Sequence, residues 1–194
     1  MLLTNCNNYG LLDKLENPGQ STAGLGQRNL RIFVTAAGYN GNLGGIAGAD
    51  AKCVADAANP MGPGNGFWKA LIVGTGRAAC TTANCSVGGN GENFDWALKP
   101  NTNYIRPNGL VIGSTNPFGI FTFPLNSPIG DQAMTFAWTG LLADWTISGS
   151  NTCADWSSTG STGIRGQVDI NTSTVIQASP QTCGVSERLY CVEQ

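Results

Sequence analysis

The sequence predicts an α+β domain of short, mostly antiparallel strands, one clear helix and long loops. Three observations carry this expectation. Short β-branched and aromatic runs recur along the chain, as half-buried strands require. Only residues 46–58 form a long stretch with few helix breakers. The text between these runs is dense in Gly, Asn, Ser and Thr, with 27 glycines in 194 residues, so much of the chain must be turn and loop.

The elements follow in chain order. Residues 1–29 are polar and rich in Gly, Asn and Gln, with one weak helical patch at 11–15, and are expected to be a tether. Residues 30–194 are expected to form the folded domain. Residues 30–35 alternate and are β-branched, which predicts the first strand. A Gly/Asn loop spans 38–45. The helix at 46–58 places Ala49, Cys53, Val54 and Ala57 on one face and ends before Asn59-Pro60. Residues 67–73 predict a buried strand, and 74–102 irregular structure. Short strands are expected at 104–106 and 110–112 around the turn Pro107-Asn108-Gly109, and again at 120–123. Residues 136–141 open a C-terminal sheet. The Ser/Thr/Gly stretch 157–166 is expected to be loop, and 188–192 the last strand.

Composition narrows the function. Charged residues are only 11%, well below the usual quarter, and net charge is −2. A surface solvated by amides and hydroxyls suits exported proteins more than cytosolic enzymes. No dense Lys/Arg run is present, so the phosphate-neutralising footprint of a nucleic-acid binder is missing. No run approaches the roughly 20 apolar residues of a membrane span. Membrane association is expected only through a lipid anchor. No histidine occurs, which removes Ser-His-Asp and Cys-His catalysis. Carboxylates remain, with Asp144 and Asp155 as a hydrolase alternative and Asp50, Asp56, Glu92 and Asp95 as further loop or helix candidates. The simpler roles are a helix-start residue for Asp50 and a hydrogen-bonding loop residue for Asp155. No enzyme activity and no cofactor are expected.

Seven cysteines leave one over if six pair. Cys6, in the polar N-terminal segment, is the natural odd one. Leu2-Leu3-Thr4-Asn5-Cys6 resembles the end of a spirochaete-type lipobox, which implies lipidation of Cys6. The other six, Cys53, Cys80, Cys85, Cys153, Cys183 and Cys191, allow 15 connectivities, and spacing does not choose among them. Cys80 and Cys85 are close enough in sequence for a local bridge. Without histidine or a C-x2-C pair, no zinc or other metal site is expected. Among the tryptophans, Trp68, Trp138 and Trp156 sit in apolar strings and are expected in the core. Trp145, between a strand and a glycine-rich loop, is the candidate ligand contact.

A set of motifs also carries a resemblance. Gly48-Ala49-Asp50-Ala51-Lys52-Cys53, Trp68-Lys69-Ala70-Leu71, Ile120-Phe121-Thr122-Phe123, Trp138-Thr139-Gly140, Cys153-Ala154-Asp155-Trp156, Gly163 to Gly166, Cys183 and Leu189-Tyr190-Cys191-Val192-Glu193 occur in the order seen in endostatin. From about residue 30 onward the chain looks closer still to the leptospiral endostatin-like (Len) lipoproteins. The resemblance implies a C-type-lectin-like fold and the pairings Cys53–Cys191 and Cys153–Cys183. It also implies a monomeric outer-membrane protein, lipid-anchored at the cell surface, that binds host complement factor H, laminin and fibronectin as an adhesin or in immune evasion. A carbohydrate-binding lectin is the alternative. Three departures limit the carry-over. The zinc-binding histidines of endostatin are absent. Arg77, Arg106, Arg165 and Arg188 are scattered, so a heparin-binding face is not expected. Lys99-Pro100-Asn101 is the nearest string to a calcium-lectin loop, yet it carries a cation where that loop has a carboxylate.

Overall fold

The computed structural model describes residues 29–194. Cys6, the helical patch at 11–15 and nearly all of the expected tether lie outside these residues. The fold is α+β, with mostly antiparallel strands and long connections. A five-stranded sheet has the order β2-β8-β1-β3-β4. It is built from β1 (Leu30–Val34), β2 (Trp68–Ala70), β3 (Asn103–Ile105), β4 (Val111–Ser114) and β8 (Tyr190–Glu193). Only β1 and β3 run parallel. A second, antiparallel sheet joins β5 (Phe136–Trp138), β6 (Thr162–Gln167) and β7 (Ser179–Thr182).

Strand alternation builds a core on both faces of the large sheet. Ile32, Val34, Tyr190 and Val192 pack on one side with Trp96, Phe121 and Trp145. Phe33, Leu189 and Cys191 pack on the other with Trp68, Ala70 and helix α1 (Gly45–Ala55). Along α1, Ala49 and Cys53 are buried, as their spacing predicts. The helix stops three residues short of the expected end. Asp56 leaves it with extended dihedrals, and its carboxylate accepts the N–H groups of Ala36 (2.7 Å), Ala37 (3.2 Å) and Ala58 (2.8 Å). Those bonds tie the helix end to the loop after β1.

Three disulfides close the domain. Cys53–Cys191 staples α1 to β8 across 138 residues, Cys153–Cys183 spans 30, and Cys80–Cys85 spans 5. In the chain-entropy view the longest bridge contributes most, about 4–5 kcal/mol before any strain.

Two stretches depart from the sequence expectation, and a third takes a form on which the sequence is silent. Residues 162–167 form strand β6 where a loop is expected. Glycine is required there by close approach: a Cβ on Gly163 would lie 2.7 Å from the Cys153 sulfur, and one on Gly166 would lie 1.8 Å from the Val175 carbonyl oxygen. Residues 120–123 make only a single bridge, Phe121 to Thr115, before Pro124, which has no N–H to extend a ladder. Cys153–Trp156 forms one helical turn in which all four residues have positive φ, from 51 to 62°. Left-handed backbone costs a residue with a Cβ roughly 1–2 kcal/mol. Burial of Cys153 and Trp156, the Cys153–Cys183 bridge and the bond from Trp156 Nε1 to the Val73 carbonyl (2.8 Å) hold it in place.

Candidate functional site

Trp145, the expected ligand contact, is only 1% exposed. Its ring stacks on Phe123 at 5.6 Å and meets Trp96 edge-on at 6.2 Å. Its Nε1 donates to the Phe121 carbonyl (3.2 Å). The expectation of a partly exposed contact is therefore corrected. The loop position reads as surface in sequence, but a positive φ at Trp145 (68°) turns the side chain into the core. Trp68, Trp138 and Trp156 are buried as expected.

The most exposed aromatic among the described residues is Phe67, at 82% against 61% for Phe94, and it stands at a position expected to begin a buried strand. β2 is an edge strand and starts only at Trp68. Phe67 receives the Gln194 N–H on its carbonyl (3.0 Å), while its ring is left outside. Around it lies a groove of about 470 Å³ lined by Asp50, Val54, Gly66, Phe67, Trp68, Lys69, Lys99 and Gln194. It straddles the sheet edge, with α1 on one side and Lys69 and Lys99 on the other.

A charge network around Arg77 joins Asp50 and Lys69 of the groove lining. Arg77 is 1% exposed. Its Nη1 and Nη2 donate to the two oxygens of Asp50 at 2.8 and 2.7 Å, and Nη1 also donates to the Ala70 carbonyl at 2.9 Å. Nη2 and Nε reach Asp95 Oδ2 at 2.7 and 3.1 Å. Asp50 also accepts the Ala70 N–H (2.8 Å), so the outward backbone groups of Ala70 are both satisfied. Burial works against the Arg77 charge, but the bonds and charges of Asp50 and Asp95 outweigh it and raise its pKa. Asp50 is thus not a helix-start residue; it sits one turn inside α1 and serves Arg77.

Lys69 Nζ bonds the Asp95 carboxylate and, at 3.1 Å, its carbonyl. Burial opposes the Asp95 charge, and hydrogen bonds from Lys69 and Arg77 overcome it, so its pKa falls. Lys99 differs. Its pKa is lowered by burial first and then by the positive charge of Lys69. It forms no ion pair among the described residues.

The loop leading to Asp95 is clipped by Cys80–Cys85 and organised by Glu92. Its carboxylate accepts the N–H groups of Thr81 (2.7 Å), Thr82 (2.6 Å) and Gly88 (2.7 Å) and both threonine hydroxyls. These bonds, from the Thr82 hydroxyl above all, hold Glu92 well below the ordinary carboxylate range. The other acidic candidates are structural too. Asp144 accepts from the Thr146 N–H (3.1 Å) and hydroxyl, and Asp155 from the Thr75 N–H (2.8 Å) and hydroxyl. Asp56 serves the loop after β1, as described. No cluster of three or more metal-ligating side chains occurs among the described residues.

Nothing in the sequence marks the groove as one site, because Asp50, Phe67, Lys99 and Gln194 are far apart in the chain. A lysine and an aromatic near the end of an edge strand are the only local signal.

Fold and site together define a disulfide-stapled α+β domain with an open aromatic and cationic groove at a sheet edge. Residues 36–174, more than half of the chain, match the family model described as protein of unknown function (DUF1554), and the chain belongs to that family. No curated protein matches it.

Proposed function

We propose that this chain is a non-enzymatic, surface-displayed lipoprotein of endostatin-like, C-type-lectin-like type, and that it binds host proteins. Factor H, laminin and fibronectin are the partners implied by its resemblance to the Len lipoproteins, and the role is adhesion or immune evasion. The observation that carries a binding role is Phe67, 82% exposed beside the groove that holds Lys69 and Lys99. A large apolar ring left in water next to fixed charge is the composition of a contact surface, since hot spots pair an aromatic anchor with polar neighbours. The three disulfides support an oxidising compartment. The nested pairing of Cys53–Cys191 around Cys153–Cys183 supports the endostatin-like reading.

The test is saturable binding of the oxidised domain to immobilised factor H, laminin and fibronectin. It is paired with proteinase accessibility on intact cells and palmitate labelling of the wild type and Cys6→Ser. The proposal expects binding to at least one protein, surface cleavage, and labelling that needs Cys6. Absence of saturable binding to all three refutes the binding role.

A further inference from the structure

We infer that the groove at the β2 edge docks an extended acidic protein segment, with a carboxylate at the Lys99 ammonium and an apolar side chain against Phe67. This deepens the protein-binding reading above and rests on it. The first argument is the charge balance of the groove. Both oxygens of Asp50 are engaged by Arg77, and both oxygens of Asp95 by Arg77 and Lys69. These carboxylates are bonded to Arg77 and Lys69, whereas Lys99, which feels Asp95 only through space, is the cation of the groove lining that makes no ion pair among the described residues. A basic partner would meet Lys99 as a like charge.

The second argument concerns what Lys99 lacks. Burial and the neighbouring cation Lys69 disfavour its charge, and Asp95 opposes them only in part, so its pKa is lowered. A carboxylate brought to hydrogen-bond distance favours the charged form against both effects. Thirdly, the apolar part of the site is already paired with this cation. Phe67 stands 82% exposed on the same groove, with Val54 on the α1 side. A segment with an acidic residue next to an apolar one satisfies Lys99 and Phe67 together. The groove volume, about 470 Å³, falls within the range of small ligand sites and accommodates a few side chains.

The experiment pans a phage-displayed random dodecapeptide library on the oxidised wild type and on the Phe67→Ala/Lys99→Glu double variant. Near-ultraviolet circular dichroism checks that both are folded. The inference expects the wild type to enrich peptides with Asp or Glu beside an apolar residue, and the double variant to lose them. A synthetic peptide from the enriched set should bind Lys99→Glu at least about tenfold more weakly and should weaken with added salt. Enrichment of basic peptides, or enrichment unchanged by the double variant, overturns it. So does groove-dependent binding of a heparin oligosaccharide without peptide binding, or a Phe67-dependent dimer in sedimentation. If acidic peptides are captured but factor H, laminin and fibronectin are not, the proposed partners fail and the groove assignment stands. If those proteins bind both variants equally and no acidic peptide is captured, the groove assignment fails alone.

Discussion

Trp145 and Phe67 exchange the roles that their local sequence suggests. Trp145 borders a glycine-rich loop and is sealed among Phe121, Phe123 and Trp96; Phe67 opens an apolar run and is exposed. The difference teaches that exposure is decided by what lies across the chain. Trp145 has long-range neighbours on every side. Phe67 sits at the end of an edge strand, where the sheet has no further partner on that side. The closed region should therefore carry stability, and the open one binding.

The largest expected effect tests the closed region. Trp145→Ala removes a buried ring and should cost about 3–5 kcal/mol in denaturant unfolding. Arg77→Ala follows, because it leaves Asp50 and Asp95 without their shared cation. Breaking a fully buried pair costs about 3–5 kcal/mol, but both carboxylates are partly exposed, so about 2 kcal/mol is expected. Its Phe67 surface should also lose affinity, since the floor of the groove loosens. Next comes Ala154→Gly in the left-handed turn. Ala154 is exposed at φ 51°, so glycine should stabilise by about 0.5–1 kcal/mol, against its usual effect in a helix. Smallest in stability is Phe67→Ala, within about 0.5 kcal/mol, as expected for an exposed side chain. Unchanged stability with lost binding sharpens the comparison; the reverse breaks it.

Acid provides a separate test of the loop that carries Asp95 toward the groove. Glu92 has a depressed folded pKa, so its contribution is fully present above its ordinary value of 4.5 and is lost as pH falls from there toward the depressed one. Hydrogen exchange of the Thr81, Thr82 and Gly88 amides, corrected for intrinsic rates, should show protection falling in strong acid. Glu92→Gln should show the weaker protection already at neutral pH.

Much of the architecture is legible in the sequence. Alternation finds β1, the apolar run at 188–192 finds β8, and spacing finds Ala49 and Cys53 on the buried face of α1. The resemblance supplies the pairings Cys53–Cys191 and Cys153–Cys183, which the structure contains. Features set by tertiary contact are not legible. Gly163 and Gly166 read as loop punctuation because nothing local shows the Cys153 sulfur or the Val175 carbonyl pressing on them. The left-handed turn has no glycine to announce it. Arg77 reads as one of several scattered arginines, since Asp50 and Asp95 lie 27 and 18 residues away. The groove is illegible for the same reason: its parts meet only when β2 pairs with β8.

The most direct measurement is hydroxyl-radical footprinting of the oxidised domain, alone and saturated with whichever of factor H, laminin or fibronectin it binds. The account predicts that Phe67 is labelled in the free domain and protected in the complex, while Trp145 is unlabelled in both. Labelling of Trp145 in the free domain with protection on binding, or equal labelling of Phe67 in both states, would contradict it.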